Sequence, residues 1–395
     1  MRLSDAQMMI LSRDTARYSG TRQHISNKGS VSGRNYTPAS AKTSFQQRVP
    51  YTAMTKASNI KPVWSLTKTG LTGKEPVALT VAGRIWVSLI KRGAVYPFTW
   101  NGQVSKRFDT TVESYIFPDA WPTSLEKGED FFLHTTVVFD TAQTEFPGSY
   151  LWNVTGYSEV GDNLTNSYNV QSWSPGQSTQ QVLFPPICIL GDTPSPRPVV
   201  AVIGDSITVT GTSDSNPGMS LGYVSKSLDA TFTPYILSRG EGMPLFFLDS
   251  NPSDYTRMLQ DFQYIGCTHA YIPASPNDLD WSRTNTQIYS AMTNIGANLK
   301  TNWGFQKVVT STMLPYTINS NTQAKYPLYR APLNTTIRSS NGIGDGYFDA
   351  SATVEDTNNT ELWASGNSSD LVHPTDQGHN TYLKPAFTTM CKTLF

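Results

Sequence analysis

The feature that most constrains this chain is an apolar run over residues 198–203 that ends abruptly in Gly204, Asp205 and Ser206. An unbroken run of small and β-branched apolar residues is typical of a strand buried on both faces, and therefore of a central strand in a parallel α/β sheet. Ser206 would then stand at the carboxyl end of that strand, where open α/β sheets bind their ligands. A turn that merely opens a helix, with Asp205 or Ser206 as its cap, would produce the same three residues. The rest of the chain decides between these interpretations.

Beyond residue 203 the pattern alternates between apolar runs and helical spacing. The runs His269–Pro273 and Lys307–Ser311 each follow a segment with apolar residues three or four positions apart, and Tyr347–Asp349 is a candidate last strand before a final helix. This β-α-β-α order predicts an α/β domain with a parallel sheet between two layers of helices, over residues 199–395.

The first half of the chain is typical of a different architecture. Residues 51–190 contain several strand patterns separated by Gly, Pro and Asn, without a helical period, which predicts an all-β accessory domain of antiparallel, jelly-roll-like type. Residues 1–50 are polar and aperiodic, and we expect an N-terminal arm with at most a short helix over 4–11. Such an arm is either an extended leader or a contact that builds a homo-oligomer or larger assembly. Prolines at alternate positions make residues 191–198 the expected linker.

Composition argues against several classes of partner and site. Charged residues make up 15% of the chain, against about 25% in an average globular protein, and the formal net charge is zero, so no nucleic acid partner is expected. No segment approaches the roughly 18 consecutive apolar residues of a membrane span. The start of the chain lacks the apolar core of a signal peptide, which predicts synthesis in a cytoplasm without export by such a signal. The cysteines lack C-x-x-C spacing, which predicts free, mostly buried thiols.

Two further polar clusters follow predicted strands. Asn277 and Asp278 come directly after the strand that ends near Pro273, and Asp370 and His373 lie in a loop before the last helix. Because the carboxyl ends of parallel strands meet at one edge of a sheet, we expect both clusters to meet Ser206 there.

The residue types in these clusters are chemically complementary. A serine hydroxyl becomes a good nucleophile when a neutral imidazole takes its proton, and His373 can serve as that base. Asp370, three residues earlier, can accept the Nδ1 proton and fix the productive tautomer. Candidate donors to an oxyanion are the N–H of Ser206, the side-chain amide of Asn277 and an N–H from the glycine-rich turn 239–242.

Three motifs, in this order, resemble blocks I, III and V of the SGNH (GDSL-type) hydrolases: Gly204-Asp205-Ser206, Asn277-Asp278 and Asp370-x-x-His373-Pro374. That family comprises esterases and deacetylases on a flavodoxin-like sheet, and the resemblance covers about residues 197–395. It implies Ser206 as the nucleophile and Asp370 and His373 as its triad partners. It also implies an oxyanion hole formed by Ser206, Gly242 and Asn277.

Two positions depart from the family's pattern. The glycine of block II usually stands in an Asn-x-x-x-x-Gly context, whereas here Gly240 and Gly242 are both eligible, with Gly242 preferred. Block III normally has glycine two residues before its asparagine, and Ser275 occupies that place. The added Cβ is expected either to narrow the pocket or to shift Asn277.

Other motifs have weaker support. Gly218–Gly222 matches the G-x-S-x-G elbow, with Ser220 as nucleophile, but residues 212–217 before it form a loop pattern where that motif needs a strand. Ser220 is therefore expected to open a helix. His379 lies close to Asp376 without a third ligand, so neither a metal nor another cofactor is expected.

Two functions are compatible with these patterns. The first is a carbohydrate esterase that removes short acyl groups, with O-acetyl favoured, because the loops near the site are polar and suit a polar substrate such as an acetylated polysaccharide. The second is a catalytically inactive SGNH-fold module with a binding or structural role. A β domain before an SGNH domain is similar to bacteriophage tail-associated polysaccharide deacetylases, which would place the protein in a virion. A bacterial esterase, either cytoplasmic or exported by a non-classical route, is the alternative.

Overall fold

The computed structural model describes residues 22–27, 34–36, 40–68, 77–78, 81–110, 115–143, 146–149, 157–161, 182–183, 186–209, 222–238, 256–280, 282–317 and 326–395. The strands up to residue 192 are β1 Arg22–His24, β2 Arg34–Tyr36, β3 Lys42–Thr52, β4 Ser58–Ser65, β5 Thr67–Lys68, β6 Val77–Ala78, β7 Ala82–Lys91, β8 Ala94–Pro97, β9 Lys106–Asp109, β10 Tyr115–Ile116, β11 Asp130–Gln143, β12 Phe146–Ser149, β13 Tyr157–Gly161, β14 Val182–Leu183 and β15 Cys188–Asp192. The later strands are β16 Val200–Ile203, β17 Tyr235–Ser238, β18 His269–Pro273, β19 Lys307–Ser311 and β20 Tyr347–Phe348. The helices are α1 Ser206–Val209, α2 Gly222–Ala230, α3 Thr256–Ile265, α4 Pro276–Asp280, α5 Asn285–Trp303, α6 Pro327–Ser339, α7 Ala350–Val354 and α8 Lys384–Leu394, the last preceded by a π-helical turn, Gly378–Leu383.

The later strands form a parallel sheet in the order β17-β16-β18-β19-β20. The chain enters at β16, moves to one side to form β17, and crosses back to β18 on the other side. This order is that of flavodoxin-like sheets, in which ligands bind where the direction of winding reverses, at the carboxyl ends of the first and third strands. The predicted α/β class is confirmed, and the reversal point lies between β16 and β18.

Helix α5 illustrates why these segments are helical. Its apolar residues at helical spacing, among them Ile288, Met292 and Leu299, are buried against the sheet, as the sequence pattern indicated. Thr284 caps its first turn, accepting from the N–H of Gln287, while Gly304 ends it with a left-handed backbone. The apolar spacing in the sequence therefore predicted this helix correctly.

The first half of the chain consists of antiparallel sheets, which confirms the predicted all-β part. Among the described residues, one sheet has the order β13-β3-β11-β7-β8, with β9 also paired to β7, and another has the order β1-β15-β4-β10. Phe45, Tyr51, Leu89 and Phe131 lie in an apolar cluster that also contains Val200 of the α/β part.

Part of the segment predicted to be a polar arm differs from that expectation. Residues 42–52 form β3, which pairs along β11, and residues 22–24 form β1, which pairs with β15. Phe45 and Val49 of β3 lie in the core, and the polar residues Gln46 and Gln47 beside them are buried as well. The polar composition of this segment therefore did not indicate a buried strand. The short helix expected over 4–11 lies outside the described residues.

The two halves of the chain share a core. Val63 and Cys188 from the β-sheets belong to the same apolar cluster as Val199 and Phe262 of the α/β part. The ring of Tyr115 stacks on that of Tyr264 with centroids 4.6 Å apart. The proline-rich stretch expected as a linker is short, because Gly191 and Asp192 still belong to β15.

The structure also bears on the cysteines, on membrane spans and on metal-binding clusters. Cys188, Cys267 and Cys391 are free thiols and all three are buried, as expected. Within the described ranges, no helix combines the length and apolar character that crossing a membrane requires. In the same part of the chain, no cluster of three or more His, Cys, Asp or Glu side chains is arranged to hold a metal ion.

Candidate active site

Ser206 begins helix α1 directly beyond the carboxyl end of β16. The intervening Gly204 is tightly enclosed, because a Cβ at this position would collide with the side chain of Thr208. Asp205 caps the helix, its Oδ1 accepting from the N–H of Ile207 at 3.0 Å. The sharp turn needed here explains the residue types: glycine for space, aspartate for the cap and a half-buried serine at the sheet edge.

A hydrogen-bonded chain of three side chains runs from Ser206 across the edge of the sheet. Ser206 Oγ lies 2.8 Å from Nε2 of His373, and Nδ1 of the same ring lies 2.7 Å from Oδ2 of Asp370. When the Nδ1 proton points to Asp370, Nε2 is free to accept the proton of the Ser206 hydroxyl. These two distances are compatible with a serine nucleophile, a base and an orienting carboxylate.

Asp370 is held as an acceptor by its own turn. Its Oδ1 accepts the backbone N–H groups of His373 at 2.7 Å and of Val372 at 3.0 Å. Partial burial works to raise the pKa of Asp370, but the hydrogen bonds from the backbone and ring of His373 and the N–H of Val372 outweigh it, and the pKa is lowered overall. The carboxylate therefore stays ionised, which the orienting role requires.

The turn between Asp370 and His373 contains a strained residue. Leu371 has φ of 69°, in the left-handed region that favours glycine. Its carbonyl accepts two hydrogen bonds of 3.1 Å, one from Nε1 of Trp363 and one from the N–H of Thr317. Those two donors hold the turn in the conformation that places Asp370 and His373.

Buried Arg330 braces the loop that carries Thr317. Its guanidinium donates to the carbonyls of Met313 and Leu314 on the loop after β19, and it pairs with Glu355 at 3.2 Å. The positive charge is thereby compensated in a site where it would otherwise be costly. The sequence pattern contained no signal for Trp363, Thr317 or Arg330, because each donates to a backbone carbonyl, and every residue type carries one.

The end of β18 adjoins the end of β16, as predicted. Ser275 Oγ donates to Oδ2 of Asp205 at 2.7 Å and accepts from the N–H of Asn277 at 3.2 Å. Asn277, half-buried in the first turn of α4, is therefore connected through Ser275 to the residue that precedes Ser206. Burial raises the pKa of Asp205, against the opposing effect of the hydrogen bonds from Ser275 and Ile207.

The remaining candidates of the sequence analysis fall into two groups. Gly242, its alternative Gly240 and the rival nucleophile Ser220 lie outside the described residues. His379 is buried and its Nδ1 accepts from the N–H of Tyr223 at 3.1 Å, a packing role within the α/β part. The structure thus brings together Ser206, Asp370 and His373, and places Asn277 at the adjoining strand end.

Comparisons with known proteins bear on the fold. No protein-family model matches the sequence, and no curated protein matches it. Solved structures are similar: a GDSL-like lipase of Bacteroides thetaiotaomicron has 16% identity and a TM-score of 0.36, covering 49% of this chain and 86% of the lipase. An aryl esterase of M. smegmatis has 15% identity and a TM-score of 0.35, covering 50% of this chain and all (100%) of the esterase.

A longer match is a salicylyl-acyltransferase from a tetracycline biosynthetic pathway. It has 9% identity and a TM-score of 0.39, covering 96% of each chain. The structural similarity to GDSL-type lipases and esterases thus extends over about half of this chain. At these identities and TM-scores no argument is drawn from it, and the site is assigned from its own geometry.

Proposed function

We propose that this protein is a serine esterase that cleaves short acyl esters, with Ser206 as nucleophile, His373 as general base and Asp370 as the orienting carboxylate. The observation that supports it most is the continuous hydrogen-bonded chain Ser206–His373–Asp370, at the reversal point of a parallel sheet. Each of the three groups is placed for the step that its chemistry suits.

The proposed reaction has two halves. In the first, Nε2 of His373 takes the hydroxyl proton while Oγ of Ser206 bonds to the ester carbonyl carbon, and the C–O bond to the alcohol then breaks as the imidazolium returns the proton to the leaving oxygen. In the second, water attacks the acyl-serine with His373 again as base, releasing the carboxylic acid and restoring Ser206. The imidazole must be neutral at the start of each half.

The oxyanion formed in both halves needs donors. The N–H of Ser206, at the first residue of α1, and the side-chain amide of Asn277, at the first turn of α4, are proposed for this role. Gly242, which the family resemblance implies as a third donor, completes the proposed oxyanion hole. Each such donor is typically worth a factor of about 10² to 10³ in kcat.

For the substrate we propose an O-acetylated carbohydrate. The rim beyond α4 is polar, since exposed Asp280 ends that helix and accepts a hydrogen bond from the Tyr316 hydroxyl at 2.7 Å. Hydroxyl-rich ligands suit such a rim better than long acyl chains, which require a broad apolar cleft. A role on a bacteriophage tail, with surface polysaccharide as substrate, rests on the order of a β part before the α/β part.

The test is hydrolysis of p-nitrophenyl acetate and butyrate by the wild type, Ser206→Ala and the matched control Ser369→Ala, which alters an exposed serine in the triad loop. We expect Ser206→Ala to lower kcat by about 10⁴ to 10⁶, the control to be unchanged, and acetate to be the better substrate. Acetate release from acetylated xylan and from an acetylated bacterial polysaccharide then tests the carbohydrate assignment. Equal rates for wild type and Ser206→Ala would refute the esterase and leave an inactive module.

A further inference from the structure

A buried hydrogen-bond relay joins the two strand ends that flank the nucleophile. It starts at the N–H of Asn277, passes through the hydroxyl of Ser275 and ends on the carboxylate of Asp205, whose other oxygen accepts from the N–H of Ile207. We infer that Ser275 is a positioning residue that fixes Asn277 relative to Ser206. The inference rests on the proposed function, since it concerns the donors to the oxyanion.

The hydroxyl of Ser275 performs two tasks that require opposite polarities. It donates its proton to Oδ2 of Asp205 and uses a lone pair to accept from Asn277, so both its capacities are directed within the relay. Alanine or glycine at this position can do neither, whereas threonine retains the hydroxyl. Ser275, which stands where the family has glycine, therefore joins Asn277 to Asp205 through its hydroxyl.

Burial makes this connection rigid. Ser275 is 2% exposed and Asp205 is 3% exposed, so solvent cannot replace a lost partner at either group. Hydrogen bonds to a carboxylate are stronger than those between neutral groups, especially away from water. A second contact acts in the same direction, because the carbonyl of Ser275 accepts from the N–H of Asp278 at 3.3 Å. The first turn of α4 is therefore fastened to the residue adjoining the nucleophile.

The relay matters for catalysis because it sets the distance between the two proposed donors to the oxyanion. The N–H of Ser206 and the amide of Asn277 lie on separate helices, α1 and α4, and must converge on one oxygen atom. Oxyanion donors act only when they are already placed where charge develops, and a displacement of about 1 Å can cost a factor of about 10². Loss of the Ser275 hydroxyl should therefore lower kcat by about 10- to 100-fold while changing KM by less than about 3-fold.

The test is a double-mutant cycle between Ser275→Ala and Asn277→Ala, read as kcat and KM on p-nitrophenyl acetate. If Ser275 acts through Asn277, its substitution costs 10- to 100-fold in the wild-type background and less than about 3-fold in the Asn277→Ala background. An equal loss in both backgrounds overturns the inference, because a general structural defect would be independent of Asn277.

Three further variants keep the test decisive if Ser275→Ala unfolds. Ser275→Thr keeps the hydroxyl and is expected to retain kcat within about 3-fold, so a loss as large as that of Ser275→Gly overturns the inference. Ser227→Ala is the matched control: this buried serine donates to the carbonyl of Lys384, away from the site, and its loss should leave kcat unchanged. If wild-type hydrolysis does not exceed that of Ser206→Ala, the proposed function itself fails, a result distinct from equal losses in an active enzyme.

Discussion

The strained turn between the triad partners leads to a prediction about glycine that runs against its usual effect. At most positions in regular structure, a protein with glycine has a free energy of unfolding about 0.5–1 kcal/mol lower than one with alanine, because glycine loses more backbone entropy on folding. At a φ of 69°, where Leu371 stands, a residue with a Cβ carries a cost of about 1–2 kcal/mol that glycine avoids. At the midpoints of these two ranges, Leu371→Gly is more stable than Leu371→Ala by about 0.75 kcal/mol.

Comparing the two variants with each other removes the side-chain contribution, since both lose the same half-buried leucine side chain. The free energy of unfolding is measured by urea denaturation for each, with the slope of the transition compared to exclude a change in the unfolded state. The control is the same pair at Ser369, two residues earlier, where φ is not in the left-handed region and Ser369→Ala should be the more stable. Activity should persist in Leu371→Gly, because Trp363 and Thr317 still hold the carbonyl. A Leu371→Ala variant at least as stable as Leu371→Gly would refute the strain.

Three further predictions concern the site and the β-sheets. Asn277→Ala should lower kcat by about 10² to 10³, and an unchanged kcat would assign the oxyanion role elsewhere. Asp370→Asn should lower kcat by about 10⁴, because an amide can place the proton on the wrong nitrogen of His373, and full activity would mean that another acceptor orients the ring. Burial lowers the pKa of His24 from 6.5 to about 4, so the unfolded state binds the proton first as pH falls. Stability should therefore decline between pH 6.5 and pH 4, by about 2 kcal/mol from pH 7 to pH 5 for this residue. Urea unfolding of wild type and His24→Gln at the two pH values checks this, since the variant should show the smaller decline.

The sequence predicted best those features that a local pattern encodes. The buried strand before Ser206, the amphipathic period of α5 and the loop Asp370–His373 each depend on neighbouring residues, and each lies where the pattern placed it. Parallel strands then bring the end of β16 and the end of β18, with the polar residues after them, to the same edge of the sheet. The loop that carries His373 follows α7 and not a strand, so its approach to Ser206 over 167 positions of sequence depends on that loop as well.

Features that depend on distant partners could not be predicted. Buried glutamines in β3 resemble an exposed arm until the paired strand β11 is known. The sequence predicted that the Cβ of Ser275 either narrows the pocket or shifts Asn277. The connecting role of its hydroxyl could not be predicted, because it depends on the carboxylate of Asp205 lying 2.7 Å away. Trp363 donates to the backbone carbonyl of Leu371, and this partner could not be predicted because every residue has such a carbonyl.

The shared core has a consequence for how such a protein can evolve. Tyr115 stacks on Tyr264 and donates to Asp261 with its hydroxyl, while Val63 and Cys188 lie in one cluster with Phe262. The β-sheets cover the apolar face of α3, so replacing them with another domain would expose that face to solvent. The two architectures are therefore expected to be retained together and to fold as a single unit.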